Sequence, residues 1–226
     1  MRVDADLLTG AVAAGPRLPL PRAAAAWSPL PGQWVLDGGL RLFRSDAALV
    51  GRSAAALKLV IALAVAADED GSAILLCPQL AALAGLTQSL IVSAKKLLAA
   101  YDLVHATPEG QKTRLTLARL APGARRAWIP HDPAYRRNPQ AEIRGLRALS
   151  CRKAGNLDAL KLYLLLCAWT GEPGGEMRIA VGAAADLLNV TALRVGAALD
   201  LLVAHDLAAV TPRREGEIGA RPLPLP

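Results

Sequence analysis

The apolar and polar positions of this chain follow the same order twice, in residues 56–108 and again in residues 159–212. Ala56–Leu59 in the first segment corresponds to Ala159–Leu162 in the second, at an offset of 103 positions. One extra loop residue in the second segment raises the later offset to 104. Two copies of one pattern indicate a tandem pair of domains rather than a solenoid, which stacks more repeats.

Each copy predicts the same series of elements. A long apolar segment, Ala54–Ala67 or Leu157–Trp169, is typical of a helix buried on most sides. A loop rich in acidic residues and Gly follows in both copies. Next come a short β-like run (Ala73–Cys77 or Met177–Val181) and a short helix (79–84 or 183–188). After a turn, a longer helix ends near Ala100 or Ala204 and is followed by a strand and a polar hairpin.

A tight turn separates the last two helices of each copy. Gly85 and Asn189 suit these turns because both residue types tolerate positive φ. Thr87 and Thr191 follow the turns and are predicted N-caps, since a hydroxyl oxygen can accept a free backbone N–H of the next helix.

The order of elements resembles that of winged-helix DNA-binding proteins, especially plasmid and phage replication-initiator types and regulator types. The resemblance rests on Ala56–Leu63, Leu80–Thr87 and Leu97–Val104 and on their counterparts in the second copy. It implies a mainly α fold with small β-hairpins (α+β), built as two tandem winged-helix domains. Asp102 and Asp206 stand where these proteins usually have Gly before the last strand. Asp tolerates left-handed φ better than most residues, so we expect the turn to be kept.

The chain outside the repeats is expected to form an arm, a linker and a tail. The predicted organisation is a flexible Pro- and Ala-rich arm (1–32), winged-helix domain 1 (33–120), a basic linker (121–142), winged-helix domain 2 (143–218) and a loose tail (219–226). Five prolines between residues 11 and 32 favour an extended or flexible arm. Alternation on both sides of a Gly turn predicts a hairpin over Trp34–Phe43. Alternating Pro residues after Arg221 exclude a packed helix in the tail.

Positive charge is concentrated in one part of the chain. The 226 residues carry a formal net charge of +7, and the pI is about 9.8. Between residues 112 and 153 many Lys and Arg residues, Arg136 and Arg137 among them, are opposed by Asp132 and Glu142 alone. A basic stripe beside a helix-turn-helix is typical of a surface that binds the phosphate backbone of nucleic acid. A solvated linker in an Arg-rich protein is the alternative.

The helix after the turn in the first copy is the candidate DNA-reading helix, because the third helix of a winged helix lies in the major groove. Its predicted inward residues are Leu90, Ala94, Leu97 and Leu98. The residues left for the groove are Thr87, Gln88, Ser89, Val92, Ser93 and Lys96. Gln can bind adenine bidentately, Ser can reach a base or a phosphate, and Val can meet a thymine methyl. The hairpin Thr107–Leu117 adds Lys112 and Arg114 for phosphate or minor-groove contacts. An ordinary solvated helix face is the alternative.

The corresponding helix of the second copy has a different character. Its predicted exposed residues are Ala192, Leu193, Arg194, Gly196, Ala197 and Asp200, of which Arg194 alone suits DNA. Apolar residues exceed what one core face can hide, and exposed apolar patches mark interfaces. We therefore expect a homodimer through the second winged helix, with Leu193, Val195 and Leu199 in the interface.

Catalytic and metal-binding patterns have little support in this sequence. His105, His131 and His205 lie far apart, and no Gly-rich phosphate loop with Lys occurs. His131-Asp132 could bind a metal, but the flanking prolines favour a rigid turn. We expect no enzyme activity, cofactor, metal or small-molecule substrate. The three cysteines lack the spacing of a disulfide pair or a metal site. The apolar runs are too short for a membrane span, and the N-terminus lacks the pattern of a secretory signal. These features favour a cytoplasmic protein.

The sequence thus predicts a protein that binds double-stranded DNA with sequence preference. It would act as a transcription regulator or as a replication or partition initiator-like factor of a mobile element, because the fold does not separate these roles. The alternative is a structural adaptor that uses both winged helices for protein–protein contacts in a larger assembly.

Overall fold

The computed structural model describes residues 26–110, 112–120, 123–138 and 141–226. The fold mixes α-helices with small antiparallel sheets, which agrees with the predicted α+β class. The chain begins with β1 (Ala26–Pro31), α1 (Gly32–Leu36) and a 3-10 helix (Gly39–Leu42).

The first repeat forms a unit of three helices and one sheet. Its elements are α2 (Val50–Ala66), β2 (Ser72–Leu75), α3 (Cys77–Ala84), α4 (Gln88–Ala100), β3 (Val104–Glu109) and β4 (Lys112–Leu117). The strands form an antiparallel sheet in the order β2-β4-β3. Helix α2 is buried over nearly its whole length, as its continuous apolar sequence predicts, and α4 packs against it.

The middle of the chain contains β5 (Arg126–His131), α5 (Ala134–Arg137) and α6 (Arg144–Ala148). The second repeat then follows the order of the first: α7 (Ala154–Trp169), β6 (Met177–Ala180), α8 (Val181–Leu188), α9 (Ala192–Ala204), β7 (Ala208–Val210) and β8 (Glu217–Pro222). Its sheet has the matching order β6-β8-β7, and α9 packs against the buried helix α7. The same element order therefore occurs twice among the described residues.

The two units share one hydrophobic core. Helices α2 and α7 contact each other, and α1 and β5 both pack against α7. The buried apolar residues of both units belong to one continuous cluster made mostly of Ala, Leu, Val and Ile. Because the core runs through both units, each unit is held in place by the other.

The predicted hairpin over Trp34–Phe43 is wrong. This segment forms α1 and the 3-10 helix, joined at Gly38, whose φ of +82° is left-handed. The Trp34 ring meets the Phe43 ring edge to face at 6.0 Å, and Phe43 meets Tyr101 of the first unit at 5.5 Å. The apolar alternation that suggested a hairpin therefore supplies core anchors, Trp34 and Phe43 among them, for a compact helical turn.

The predicted arm and linker are folded where the structure describes them. Strand β1 pairs with β5 in an antiparallel, two-stranded sheet, so residues 26–31 of the arm and 126–131 of the linker hold each other. Proline is tolerated here because the sheet has two strands, so the outer edge of each is not paired along its length with a further strand and a missing N–H there breaks no ladder. Residues 1–25 of the arm lie outside the described residues.

The predicted loose tail is also wrong. Strand β8 is the central strand of the second sheet, so residues as far as Pro222 are needed to join β6 to β7. Beyond it, Leu225 is 1% exposed and its N–H donates to the Pro130 carbonyl at 2.9 Å. The Arg144 N–H donates to the Pro226 carbonyl at 3.0 Å. The tail thereby closes the second sheet and docks on β5 and α6.

In the part of the chain that the structure describes, no single helix is long and apolar enough to cross a membrane. The bent pairs α3–α4 and α8–α9 meet the length and composition of a span only when each pair is taken together.

Candidate nucleic-acid interface

Helices α3 and α4 are joined by the predicted tight turn and bend by 93° relative to each other. Gly85 ends α3 with φ +59° and ψ +46°, which confirms the predicted left-handed residue. The Thr87 hydroxyl accepts the Leu90 N–H at 3.4 Å, which confirms the predicted N-cap. A near-perpendicular helix pair across a short turn is the geometry of a helix-turn-helix.

Helix α4 has one buried face and one open face. Ile91, Ala94 and Leu98 are fully buried, whereas Leu90 and Leu97 are partly buried, so Ile91 replaces Leu90 at the centre of the predicted inward face. The open face contains the predicted groove residues Thr87, Gln88, Ser89, Val92 and Lys96, with Ser93 partly buried at its edge. Val92 is 48% exposed, which is high for an aliphatic side chain and leaves its methyl groups free for contact.

The hairpin of β3 and β4 supplies one exposed cation and one paired cation. Lys112 is exposed at the start of β4, directly opposite Glu109 in the strand register. The Arg114 Nε donates to the Glu109 carboxylate at 2.5 Å, so much of the positive charge of Arg114 is neutralised within the hairpin. Lys112 is therefore the better placed of the two predicted hairpin contacts.

A buried lysine contacts the turn between the two bent helices in each unit. Lys58 on α2 is 2% exposed, and its Nζ donates to the Gly85 carbonyl at 3.4 Å. Lys161 on α7 is 1% exposed, and its Nζ donates to the Leu188 carbonyl at 2.9 Å. An ammonium group here satisfies a free carbonyl and complements the negative end of the helix dipole. Both lysines hold the turn that positions the following helix.

Burial lowers the pKa of both lysines. Desolvation lowers the pKa of Lys58, although the neighbouring Cys151 and Glu142 oppose the shift. Desolvation lowers the pKa of Lys161 to about 8, against an attraction from Asp158 that raises it. Sequence reasoning did not assign a role to these residues. The feature of the sequence that could have identified them is a Lys at the same position of both repeats, inside an otherwise apolar helix.

The second unit has the same turn geometry. Helices α8 and α9 bend by 89° at Asn189, which is left-handed with φ +52° as predicted. The Thr191 hydroxyl accepts the Arg194 N–H at 3.4 Å, which confirms the second predicted N-cap. Asp102 and Asp206 also have positive φ, so Asp does serve in the turn where Gly is usual.

Arg194 is engaged inside its own unit. Its Nε donates to Asp158 Oδ2 at 2.7 Å, and its Nη2 lies 2.7 Å from the same oxygen. Asp158 is 1% exposed on the buried helix α7, so the guanidinium compensates a buried charge. This pairing limits what Arg194 can offer to DNA, although its side chain remains 37% exposed.

The open face of α9 is apolar, but two of the three predicted interface residues do not lie on it. Val195 and Leu199 are buried in the core of the second unit, because they occupy the helix face that packs on α7. They are therefore not available to a partner, and this part of the prediction is wrong. Leu193 alone is open, at 84% exposure.

The basic stripe is folded rather than free. The Arg125 Nη2 donates to the Trp169 carbonyl, Arg147 pairs with Glu142, and Arg119 lies 3.7 Å from Asp102. The Arg125 contact joins the middle of the chain to α7 of the second unit. The Arg147 pair lies within the middle segment, and the Arg119 contact lies within the first unit. The side chains of Arg136 and Arg137 lie outside the described part of the structure.

His131 has structural surroundings. His131 is fully buried, its Nδ1 lies 2.9 Å from the Asp132 carbonyl, and its Nε2 lies 2.9 Å from the Ser28 hydroxyl, a bond that ties β5 to β1. Among the described residues, no group of three His, Cys, Asp or Glu side chains could hold a metal ion.

In comparisons with protein-family models, curated proteins and solved structures, nothing matches this chain.

Proposed function

We propose that this chain is a tandem winged-helix protein that binds double-stranded DNA with sequence preference through its first unit. The observation that carries the proposal is the open polar face of α4, presented after a near-perpendicular turn whose end is anchored by a buried lysine. A helix held in this way can enter the major groove without reorganising, because its opposite face is committed to the core.

The side chains on this face have the chemistry that base reading needs. Gln88 stands at the first turn of α4, where it can bind adenine N6 and N7 together. Val92 can contact a thymine methyl, and Ser89 can reach a base or a phosphate. Lys96 and Lys112 are exposed cations on the helix and the hairpin, suited to the phosphates on either side. The proposal includes Arg136 and Arg137 as phosphate contacts on the basis of the sequence alone.

The second unit supports a different role for α9. At the positions of Ser89, Val92 and Lys96, the second repeat has Leu193, Gly196 and Asp200. A hydroxyl, an apolar side chain and a cation are thus replaced by an apolar side chain, a gap and an acid, and an acid repels phosphate. The exposure of Leu193 favours a protein contact at this position. The same exposure supports the second candidate function, a structural adaptor.

In the DNA-binding proposal the protein acts as a transcription regulator or as a replication or partition initiator-like factor, in the cytoplasm and without enzyme activity. The turn geometry is common to both roles, so the bound sequence and its genomic position decide between them.

The test is DNA binding by fluorescence anisotropy over a salt series, first with pooled genomic fragments and then with the selected site. We expect Gln88→Ala to weaken the selected site by roughly 5- to 100-fold, as the loss of one bidentate base contact does, and random DNA much less. Arg136→Ala with Arg137→Ala should weaken all sequences alike and lower the salt slope by about 2, since each phosphate contact contributes about 0.9. Gln33→Ala, the same change at an exposed position of α1, is the matched control.

Three results would contradict the proposal. One is an absence of binding by the parent at low salt. Another is an equal loss on selected and random DNA for Gln88→Ala, which would leave Gln88 as a backbone contact. The third is a Gln33→Ala variant as weak as Gln88→Ala, which would move the interface to α1.

A further inference from the structure

A groove lies between α9 and the loop that joins β7 to β8. Its volume is about 550 Å³, and its floor is made of small or apolar residues. One wall is the open face of α9, with Leu193, Gly196 and Asp200. The other wall is the loop around Arg213–Glu217. In the first unit, the corresponding region of helix and hairpin is the proposed DNA surface.

The charges at the rim of this groove have both signs. Arg213 and Arg214 stand on the loop, whereas Asp200 stands on the helix and Glu215 and Glu217 on the loop. A strongly anionic ligand such as DNA would meet three carboxylates, and a strongly basic partner would meet two guanidinium groups. The surface that complements such a rim has both signs itself, arranged in the opposite order.

The α9 wall of the groove has a projection and a gap about one helical turn apart. Leu193 projects with 84% of its surface exposed. At Gly196 a Cβ atom would have no neighbour within 4 Å, so the space above this residue is open. The two features lie at positions i and i+3 on the same helix face. A surface that carries both a projection and a matching gap fits a second copy of itself turned by a two-fold axis.

We propose that this groove binds a second copy of the chain across a two-fold axis. Leu193 of each copy occupies the space above Gly196 of the other, and α9 of each copy lies along the other copy's loop. Asp200 then faces Arg213 and Arg214 of the second copy, and the same contact occurs twice. This dimer goes beyond the proposed DNA binding and does not depend on it, because the α4 face of each copy stays free.

Sedimentation velocity without DNA tests the dimer at a concentration of about 50 µM, which is well above a dissociation constant of about 1 µM. We expect the parent to be dimeric. Leu193→Glu buries an uncompensated charge and should raise the dissociation constant by roughly 100-fold or more. Ser89→Glu, the corresponding position of α4, is the matched control and should leave the dimer unchanged. A monomeric parent, or a Leu193→Glu variant as dimeric as the parent, overturns the proposal.

A charge-exchange experiment tests the pairing itself. The Asp200→Arg variant and the Arg213→Glu/Arg214→Glu variant should each be monomeric, because each places like charges opposite one another in its own dimer. An equimolar mixture should form a heterodimer, because both of its two contacts then join opposite charges. If the mixture stays monomeric, or if either variant alone dimerises like the parent, the proposed arrangement is wrong. Circular dichroism on each variant confirms that it is folded.

Discussion

The buried pair of Asp158 and Arg194 can be exchanged for an apolar pair that the chain already contains. In the first repeat, Ala55 and Leu90 occupy the corresponding positions. The first unit therefore forms the same helix packing with no ion pair at this point. The double variant Asp158→Ala/Arg194→Leu transfers this arrangement to the second unit.

The structure indicates that the pair is costly to break but not strongly stabilising. Burial is the largest influence on Asp158 and raises its pKa, whereas the hydrogen bond and charge of Arg194 lower it. Asp158 Oδ1 has no hydrogen-bond partner among the described residues, so the buried carboxylate is only partly satisfied. Replacing such a pair by well-packed apolar residues is often neutral or favourable, whereas removing one partner leaves a buried charge.

The expected free energies of unfolding follow from the exposure of each partner. Arg194→Leu leaves the buried carboxylate with Lys161 as its nearby cation and should cost about 3–5 kcal/mol. Asp158→Ala leaves a guanidinium that can reach water, since Arg194 is 37% exposed, and should cost about 1–2 kcal/mol. The double variant should lie within about 1 kcal/mol of the parent, which gives a coupling of about 3 kcal/mol or more.

Urea unfolding at pH 7, followed by circular dichroism, measures the four free energies. The matched control is the pair Arg178→Ala and Asp186→Ala, two exposed charges of the same unit, whose effects should be small and additive. If the double variant loses the sum of the two single losses, the ion pair is not coupled and the comparison between the repeats does not hold.

Two further outcomes are expected. Burial lowers the pKa of Lys161 from 10.5 to about 8, so the unfolded chain binds more protons between these values and stability rises with pH across them. The parent should therefore gain roughly 2 kcal/mol relative to Lys161→Met between pH 7 and pH 9.5, and a constant difference in urea unfolding would contradict the protonation argument. Leu225→Ala should cost about 2–4 kcal/mol because it empties a buried site between β5 and the second sheet. The same change at exposed Leu42 should cost far less in the same urea assay, and equal losses would mean that the tail is not docked.

Local features of the sequence predicted much of the fold. The repeated apolar pattern predicted the order of elements in both units. The positions of the two core helices and of the turns followed from interactions among near neighbours in the chain. Gly85 and Asn189 have positive φ as expected, and Thr87 and Thr191 accept the hydrogen bonds expected of N-caps. These predictions hold because steric limits on φ and capping bonds act within a few residues and do not depend on distant contacts.

The remaining features depend on residues far apart in the chain, and only the tertiary structure decided them. Ala26–Pro31 is a strand because Arg126–His131 lies beside it, although its prolines by themselves favour a loose arm. Val195 is buried and Leu193 exposed because α7 selects which face of α9 packs, whereas both residues are equally apolar in the sequence. Arg194 lies beside Asp158 for the same reason. The local pattern predicts that a helix forms, and long-range packing determines which of its side chains remain free to bind a partner.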